Sequence, residues 1–227
     1  MARPLQAWRT LIHPDDRENT ETRLTRYLES SNEELFVSEF RGQTGGDREC
    51  WLLMRGKALR DEQGRAVRMS GSITDITDRK RQQANLEYQA LHDALTGLPN
   101  RNLLHDRLHH AIQNAARQQQ SVALILMDLD RFKEVNDTLG HQYGDLMLQQ
   151  VSARLQQVLR HSDTMARLGG DEFAILITDT NETFAGHVAQ KVHVALNRVF
   201  NLDNHFLHIG GSLASRCILS TVTARSP

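Results

Sequence analysis

Two short segments of the sequence place carboxylates where they could do chemistry. The first is Asp128-Leu129-Asp130, which directly follows a continuous apolar run over residues 122–127. The second is Gly169-Gly170-Asp171-Glu172, in which two glycines precede two acids. Carboxylate oxygens suit a hard cation such as Mg²⁺, and backbone without side chains lets a phosphate and its metal approach closely.

Each segment also has a simpler interpretation. An Asp at the end of a strand is often a turn residue, and an isolated Gly-Gly-Asp is typically an exposed β-turn. The chain contains its own control in Gly45-Gly46-Asp47, which has no acidic follower and no apolar strand behind it. We interpret that copy as a plain hairpin.

The elements around the acidic segments are predicted to alternate between helices and strands. The apolar run 122–127 indicates a strand that is covered on both faces, as at the centre of a layered α/β domain. A second buried strand is predicted over 173–177, and a further strand is predicted to begin over 206–213. Apolar residues at helical spacing predict helices over 104–115, 148–159 and 184–199.

The first part of the chain has a different pattern. Residues 15–31 are helix-compatible, with Pro14 placed where a helix can begin. Three segments, 35–43, 48–60 and 66–77, are separated by Gly- and Asp-rich turns and predict an antiparallel three-strand meander. Residues 78–91 predict a helix that either connects two domains or is only a solvated helix without a signalling role.

Several motifs in the second part, taken in order, closely resemble the GGDEF family of diguanylate cyclases. The resemblance covers residues 93–213. The motifs are the 93–101 segment DALTGLPNR, the 127–133 segment MDLDRFK, the pairs Asn136-Asp137, Gly140-His141 and Gly144-Asp145, and the signature segment 169–173. The resemblance implies an enzyme that condenses two GTP into cyclic di-GMP and pyrophosphate.

The family resemblance also implies roles for individual residues. Asp128, the Leu129 carbonyl, Asp171 and Glu172 would hold Mg²⁺ or Mn²⁺ against the triphosphate, and Asp171 would help to remove the proton of the attacking hydroxyl. Lys133 would act with them in catalysis by neutralising phosphate charge. The implied substrate-binding residues are Phe132, Asn136, His141 and Asp145. Because each domain would bind one GTP whereas the product joins two, the working enzyme would be a homodimer.

A third motif is Arg160-His161-Ser162-Asp163, and its Asp163 lies six residues before Gly169. It resembles the product-binding motif of many such cyclases, in which Arg160 and Asp163 would hold cyclic di-GMP at an inhibitory site. The alternative is a surface ion pair.

The first part of the chain resembles the second half of a PAS sensor domain, on residues 11–17, 60–64 and 71–80. Its opening strands and small helices are missing from the sequence, so we expect the meander to have an unpaired edge and an open core. The predicted organisation is a partial PAS domain over 1–77, a helical linker over 78–92 and a GGDEF domain over 93–227. The fold class is a layered α/β domain, with a central sheet covered by helices, behind an antiparallel meander.

Composition narrows the possible functions. A formal net charge of −1 provides no positive field for nucleic acid, and no apolar run is long enough to span a bilayer. The two cysteines fit a reducing cytosol, although a membrane anchor in a longer parent protein stays open. His105, His109 and His110 could suggest a metal, but no carboxylate or Cys is expected to join them.

The end of the sequence leaves the activity of this chain open. After residue 214 the family would continue into a final helix with phosphate-binding cations, and residues 216–227 do not match that pattern. We expect a C-terminally incomplete domain with a frameshifted tail, which favours a rival hypothesis of a non-catalytic fragment that binds GTP or cyclic di-GMP. The acidic residues of the signature segment favour catalysis instead.

Overall fold

The computed structural model describes residues 9–30, 34–44 and 48–219, and the chain divides into two compact units, Met1–Leu86 and Glu87–Pro227. The Gly45-Gly46-Asp47 copy and the tail from residue 220 lie outside the described residues. The hypotheses of a plain hairpin and of a frameshifted tail therefore remain predictions.

The N-terminal unit consists of one helix and the predicted meander. Helix α1, Pro14–Glu29, begins with proline in its first turn, and the His13 Nδ1 accepts a hydrogen bond of 3.3 Å from the Asp15 amide. Strands β1, Phe36–Thr44, β2, Arg48–Arg60, and β3, Ala66–Asp75, form an antiparallel sheet in the order β1-β2-β3.

The core of this unit lies between α1 and one face of the sheet. Its buried members are Ile12, Leu24, Phe36, Phe40, Cys50, Leu52 and Met54. Within the described part of the chain, β3 pairs with β2 alone, and Val67 and Ile73 of β3 are 65% and 42% exposed. One edge of the sheet is thus unpaired and part of its apolar surface is uncovered.

Helix α2, Thr77–Leu91, follows the meander and buries none of its side chains. The boundary between the two compact units falls inside this helix, after Leu86. Among the residues that the structure describes, there is no helix with the length and apolar character needed to cross a membrane.

The C-terminal unit is built on a four-stranded antiparallel sheet in the order β5-β6-β4-β9. Its helices are α3, Arg101–Gln118, α4, Phe132–Leu139, α5, His141–Gln156, and α6, Glu182–Leu196. Its strands are β4, Ser121–Leu129, β5, Thr164–Gly169, β6, Glu172–Thr180, and β9, Gly211–Leu219, with a small hairpin of β7, Phe200–Leu202, and β8, His205–Leu207.

Helices cover both faces of this sheet, as the apolar run 122–127 predicts. Alternate β4 residues, Ala123, Ile125, Met127 and Leu129, join a core with α5 and α6. Val122 and Leu124 point to the opposite face and pack with Leu104 of α3. Because successive side chains of a strand point to opposite faces, one apolar segment contributes to both cores.

The strand predicted to begin over 206–213 does begin within that range, but the segment is not one continuous strand. Phe206 belongs to the β7–β8 hairpin, and β9 begins only at Gly211. The hairpin turns at Asp203 and Asn204, which both have positive φ, of 48° and 70°. The break before β9 is stabilised by the Gly210 carbonyl, which accepts a hydrogen bond of 3.1 Å from the Asp130 amide.

Candidate active site

The end of β4 and the start of β6 bring two of the predicted carboxylates together. Asp128 and Glu172 are directly paired across these antiparallel strands, so their side chains lie on the same face of the sheet. Both line a cavity of about 530 Å³, together with Arg101, Leu126, Leu168 and Ser212. A cavity of this size is within the range of small-molecule sites.

The cavity exists because α3 covers only part of its sheet face. Val122 is buried at 1% exposure near the start of β4, whereas Leu126 is 45% exposed and Asp128 is exposed. The last residues of β4 therefore give the cavity an apolar surface at Leu126 and a carboxylate at Asp128.

The hairpin between β5 and β6 depends on its two glycines. Gly169 has a φ of +142° and Gly170 a φ of +53°, conformations that residues with a side chain rarely adopt. A Cβ built on either glycine would meet no atom within 4 Å. The glycines are thus required by the backbone conformation, and they also leave the space beside Asp171 and Glu172 open.

The charges around Asp128 fit a divalent cation. Partial desolvation of this largely exposed side chain, followed by the nearby carboxylates of Asp171, Glu172 and Asp130, raises the pKa of Asp128 above its ordinary value. Among the residues described, no ion pair joins Asp128 or Asp171 to a basic side chain, while Glu172 lies 3.6 Å from Arg101. A bound cation would relieve this repulsion.

The structure does not gather all three predicted metal carboxylates around one point. Within the described ranges, no three His, Cys, Asp or Glu side chains form a group that could hold a metal by themselves. Asp171 lies in the turn, where its carbonyl accepts a hydrogen bond of 3.3 Å from the Leu129 amide. Mg²⁺ is usually held by one or two carboxylates together with substrate phosphates, and this arrangement provides that smaller set.

Asp130 has a different role from Asp128, although both follow the same strand. The Ser212 hydroxyl donates a hydrogen bond of 2.6 Å to Oδ1 of Asp130, and the Asp130 amide donates to the Gly210 carbonyl. Asp130 therefore connects the end of β4 to the beginning of β9. Of the two acids in the 128–130 segment, Asp128 lines the cavity, whereas Asp130 has a structural role.

The predicted nucleotide residues lie on α4 and α5 and around their junction. A Cβ built on Gly144 would lie 2.0 Å from Oδ1 of Asn136 and 3.2 Å from Phe132, so only glycine permits this close contact. The Asn136 side chain is thereby held against Gly144 of α5, which directly precedes Asp145 in the sequence, and Phe132 is buried. Lys133, His141 and Asp145 are exposed.

The predicted product-binding residues lie at the other end of β5 from the hairpin. Arg160 and Asp163 line a cavity of about 420 Å³ with Arg107, Gln156 and His161. Oδ2 of Asp163 accepts from the Arg160 amide at 3.0 Å, whereas Oδ1 is buried and has no hydrogen-bond partner in the described part of the chain. The Arg160 guanidinium lies 4.0 Å from the centre of the Phe184 ring instead of pairing with Asp163.

Sequence reasoning missed a contact that supports the hairpin. Arg167 donates from Nη1 to both carboxylate oxygens of Asp93, at 3.0 and 3.2 Å, and from Nε and Nη2 to the Gly170 carbonyl, at 3.0 and 2.8 Å. Both residues belong to segments next to or within recognised motifs, but the sequence contains no signal that pairs them.

The expectation that no carboxylate joins the histidines of α3 is wrong. Asp106 lies one helical turn before His110, and its carboxylate is 3.5 Å from Nδ1 of that histidine. His105, His109 and His110 are nevertheless all exposed, as a solvated helix face requires.

Comparison with known proteins identifies the family. The diguanylate cyclase GGDEF domain family matches residues 90–220, and the PAS fold matches residues 1–73. The first match covers more than half of the chain, so the chain belongs to the GGDEF domain family.

Curated relatives and solved structures agree with this membership. The chain is 46% identical over 124 residues to the bifunctional diguanylate cyclase/cyclic di-GMP phosphodiesterase MucR of Pseudomonas aeruginosa, covering 55% of this chain and 18% of MucR. It is 41% identical over 138 residues to the probable diguanylate cyclase DgcE of Escherichia coli, covering 61% of this chain and 12% of DgcE. The chain thus spans less than a fifth of either relative.

Two solved structures show the same fold. The GGDEF domain of TpbB (YfiN) from Pseudomonas aeruginosa is 36% identical, with a TM-score of 0.54, over 56% of this chain and 74% of that one. The coiled coil and GGDEF domain of DgcB from Caulobacter crescentus, a complex with c-di-GMP, is 26% identical, with a TM-score of 0.57, over 63% of this chain and 78% of that one.

Proposed function

We propose that the C-terminal unit condenses two GTP into cyclic di-GMP. In each of two equivalent steps, the 3′-hydroxyl of one GTP attacks the α-phosphorus of the other. A phosphorus–oxygen bond forms, the bond to the β,γ-pyrophosphate breaks, and the hydroxyl proton is lost to a base. Two pyrophosphates leave for each cyclic product.

The residues around Asn136 would bind the guanine. The Asn136 amide can both donate and accept hydrogen bonds, and the Asp145 carboxylate can accept from guanine N–H groups. The contact with Gly144 limits the freedom of the Asn136 side chain, and Phe132 approaches the same glycine. Lys133 is exposed in the first turn of α4 and could neutralise phosphate charge, and His141 is exposed at the start of α5 and could contact the substrate.

The carboxylates would hold the metal and accept the proton. Mg²⁺ or Mn²⁺, when bound, would neutralise phosphate charge and fix the geometry of the displacement. Asp128, the Leu129 carbonyl and Glu172 would hold it with phosphate oxygens, with Asp171 adjoining. We assign Asp171 as the proton acceptor because the family resemblance implies this role and because Asp171 directly precedes Glu172, which lines the cavity.

Catalysis would require a homodimer, because each unit offers one nucleotide site while the product joins two nucleotides. The two sites would face each other across the growing phosphodiester. The N-terminal unit would act as a PAS-type sensor, joined by a linker over residues 78–92, in a cytoplasmic signalling protein.

The observation that carries this proposal is the pairing of Asp128 with Glu172 at an open cavity beside the glycine hairpin. The test is to incubate the purified chain with GTP and Mg²⁺ and to measure cyclic di-GMP and pyrophosphate by chromatography. We expect two pyrophosphates for each cyclic di-GMP, and no product after chelation of the metal. GTP binding without product would contradict the proposal.

A second candidate function is a regulatory module that binds nucleotide without turnover. The unpartnered Asp163 oxygen beside Arg160 supports it, because a buried acceptor without a donor is costly and a guanine N–H could supply that donor. Calorimetric titration with cyclic di-GMP, combined with the turnover assay, separates the two functions. Binding without synthesis favours the module, whereas synthesis with inhibition favours a cyclase that carries a product site.

A further inference from the structure

Gly144 of α5 and Gly186 of α6 are both helical glycines, but their surroundings differ. Neither has a positive φ, so alanine could adopt either backbone conformation. A Cβ built on Gly186 would meet no atom of the described residues within 4 Å, whereas a Cβ on Gly144 would lie 2.0 Å from Oδ1 of Asn136. Because glycine is less favourable than alanine within a helix, we attribute Gly144 to the space that it leaves for Asn136.

This space is filled by two side chains from one face of α4. Phe132 and Asn136 are four residues apart in that helix, so they lie one turn apart on the same face. A Cβ on Gly144 would lie 3.2 Å from Cζ of Phe132, but 3.0 Å from Cγ and 2.0 Å from Oδ1 of Asn136. A methyl group at this position would therefore displace the Asn136 side chain before it displaced the ring.

Hydrogen bonds join the backbones of α4 and α5 at the same point. The Gly140 amide donates to the Asn136 carbonyl at 2.9 Å, and the Gly140 carbonyl accepts from the amides of Tyr143 and Gly144 at 3.1 and 3.3 Å. A separation of the two helices would break these bonds, whereas a rotation of the short Asn136 side chain would break none of them. Rotation of Asn136 is therefore the least costly response to a methyl group on residue 144.

Such a rotation would affect the base of a bound nucleotide more than its phosphates. Asp145 directly follows Gly144, and its carboxylate can accept from the N–H groups on the Watson–Crick edge of guanine. Adenine has no hydrogen on its N1 atom, so Asn136 and Asp145 together can distinguish the two purines. Lys133 lies in the first turn of α4, away from the junction, and would keep its position.

We propose that Gly144 is a positioning residue that sets the base specificity of the nucleotide site. The absence of a side chain at this position keeps the Asn136 amide in the orientation in which it and Asp145 bind guanine in preference to adenine. Gly144 acts through Asn136 and needs no contact with the nucleotide. The choice of guanine rests on the proposed function, whereas the contact between Gly144 and Asn136 does not.

The test compares the wild-type chain with Gly144→Ala, Asn136→Ala and the double variant. The matched control is Gly186→Ala, which adds the same methyl group to a helix where the space is open. Because alanine is preferred to glycine within helices, the control should be at least as stable as the wild type. It should also bind nucleotides as the wild type does.

The first measurement is thermal unfolding without nucleotide. If the added methyl group displaces Asn136, its effect must depend on whether that side chain is present. We expect the change in melting temperature caused by Gly144→Ala to be more favourable by about 4 °C or more in the Asn136→Ala background than in the wild-type background. Equal changes in the two backgrounds would overturn the contact on which the proposal depends.

The second measurement is calorimetric titration with 3′-deoxy-GTP and 3′-deoxy-ATP in the presence of Mg²⁺. Both analogues lack the attacking hydroxyl, so they can bind without turnover. Gly144→Ala should weaken binding of 3′-deoxy-GTP about 10-fold and leave 3′-deoxy-ATP nearly unchanged, because a hydrogen bond to the base is lost. In the Asn136→Ala background the same change should cause little further loss. Equal weakening of both nucleotides, or an unchanged preference for guanine, would overturn the proposal.

Turnover of GTP separates this inference from the proposed function. In Gly144→Ala the KM for GTP should rise about 10-fold with little change in kcat, because Asn136 would bind the base and not the reacting phosphate. A fall in kcat alone would contradict the positioning role. A wild-type chain that binds 3′-deoxy-GTP no better than 3′-deoxy-ATP would refute the proposed nucleotide site itself. Thermal unfolding would then still decide whether Gly144 positions Asn136.

Discussion

Asp93 and Asp128 are two carboxylates of the same unit that lie in opposite electrostatic environments. Asp93 accepts hydrogen bonds from Thr96 and Arg167, and these donors lower its pKa despite burial. Asp128 is largely exposed but partly desolvated, and this desolvation and three acidic neighbours raise its pKa. The chain therefore supplies the partners of the first carboxylate but not those of the second.

This difference distinguishes carboxylates that stabilise the fold from carboxylates that are available to bind a ligand. A carboxylate whose donors come from the protein stabilises the fold and is satisfied before any ligand arrives. A carboxylate surrounded by other acids gains its partner only from outside, as a metal site would provide. Asp130 and Asp163 extend the comparison, since Ser212 satisfies Asp130 whereas Oδ1 of Asp163 lacks a partner among the described residues.

The largest expected effect is on catalysis. Asp171→Ala and Glu172→Ala should each reduce cyclic di-GMP synthesis by about 1000-fold or more, in a form of the protein that is active. The melting temperature should stay nearly unchanged, because both residues lie at the hairpin and little packing is lost. Chromatography of the product and thermal unfolding measure the two quantities.

Asp106→Ala is the control for this experiment, since it removes an exposed carboxylate from α3, outside the cavity. Its activity should equal that of the wild type. Product formation at the normal rate by either hairpin variant would exclude the metal and base assignments.

A change of about tenfold in product inhibition is expected at the cavity lined by Arg160 and Asp163. Arg160→Ala should raise the inhibition constant for cyclic di-GMP by about 10-fold or more without slowing the first turnover, because loss of a charged hydrogen-bond donor costs about 1.5–3 kcal/mol. Phe184→Leu keeps the guanidinium but removes the ring beneath it, and should have a smaller effect. Inhibition that is unchanged in Arg160→Ala would leave the motif as surface structure.

The next effect is a loss of stability. Asp93→Asn should lower the melting temperature at neutral pH by about 4 °C, as expected for about 1 kcal/mol in a unit of this size. Because the folded pKa of Asp93 lies below the ordinary value of 3.8, its contribution is present above that pH and disappears as the pH falls through the folded value. The difference between variant and wild type should therefore shrink in acid, which thermal unfolding at a series of pH values measures.

The smallest effect has the opposite sign. Asp128→Asn should raise the melting temperature of the metal-free protein by about 1–2 °C at neutral pH, a modest change because the side chain is exposed to solvent. A raised folded pKa favours folding at low pH, and this contribution disappears as the pH rises through the folded value, so the charge is unfavourable at pH 7. A fall in melting temperature would contradict the contrast with Asp93.

The positions of many elements could be predicted from local residue patterns. Pro14 lies in the first turn of α1, and the Asn100 and Asn181 side chains accept hydrogen bonds from the first turns of α3 and α6. The apolar run 122–127 indicated a strand covered on both faces, and the two glycines indicated the hairpin. These signals are local because capping, turn conformation and side-chain periodicity depend on neighbouring residues.

The tertiary structure alone decided which residues meet. The register of β4 against β6 places Asp128 opposite Glu172, and the fold brings Asp93 to Arg167 and Ser212 to Asp130. The segment 206–213, predicted as the beginning of one strand, is divided for a related reason, since the Gly210 carbonyl accepts a hydrogen bond from the Asp130 amide before β9 begins at Gly211. Pairings between residues that are 44 to 82 positions apart depend on strand order and register, which no local pattern specifies.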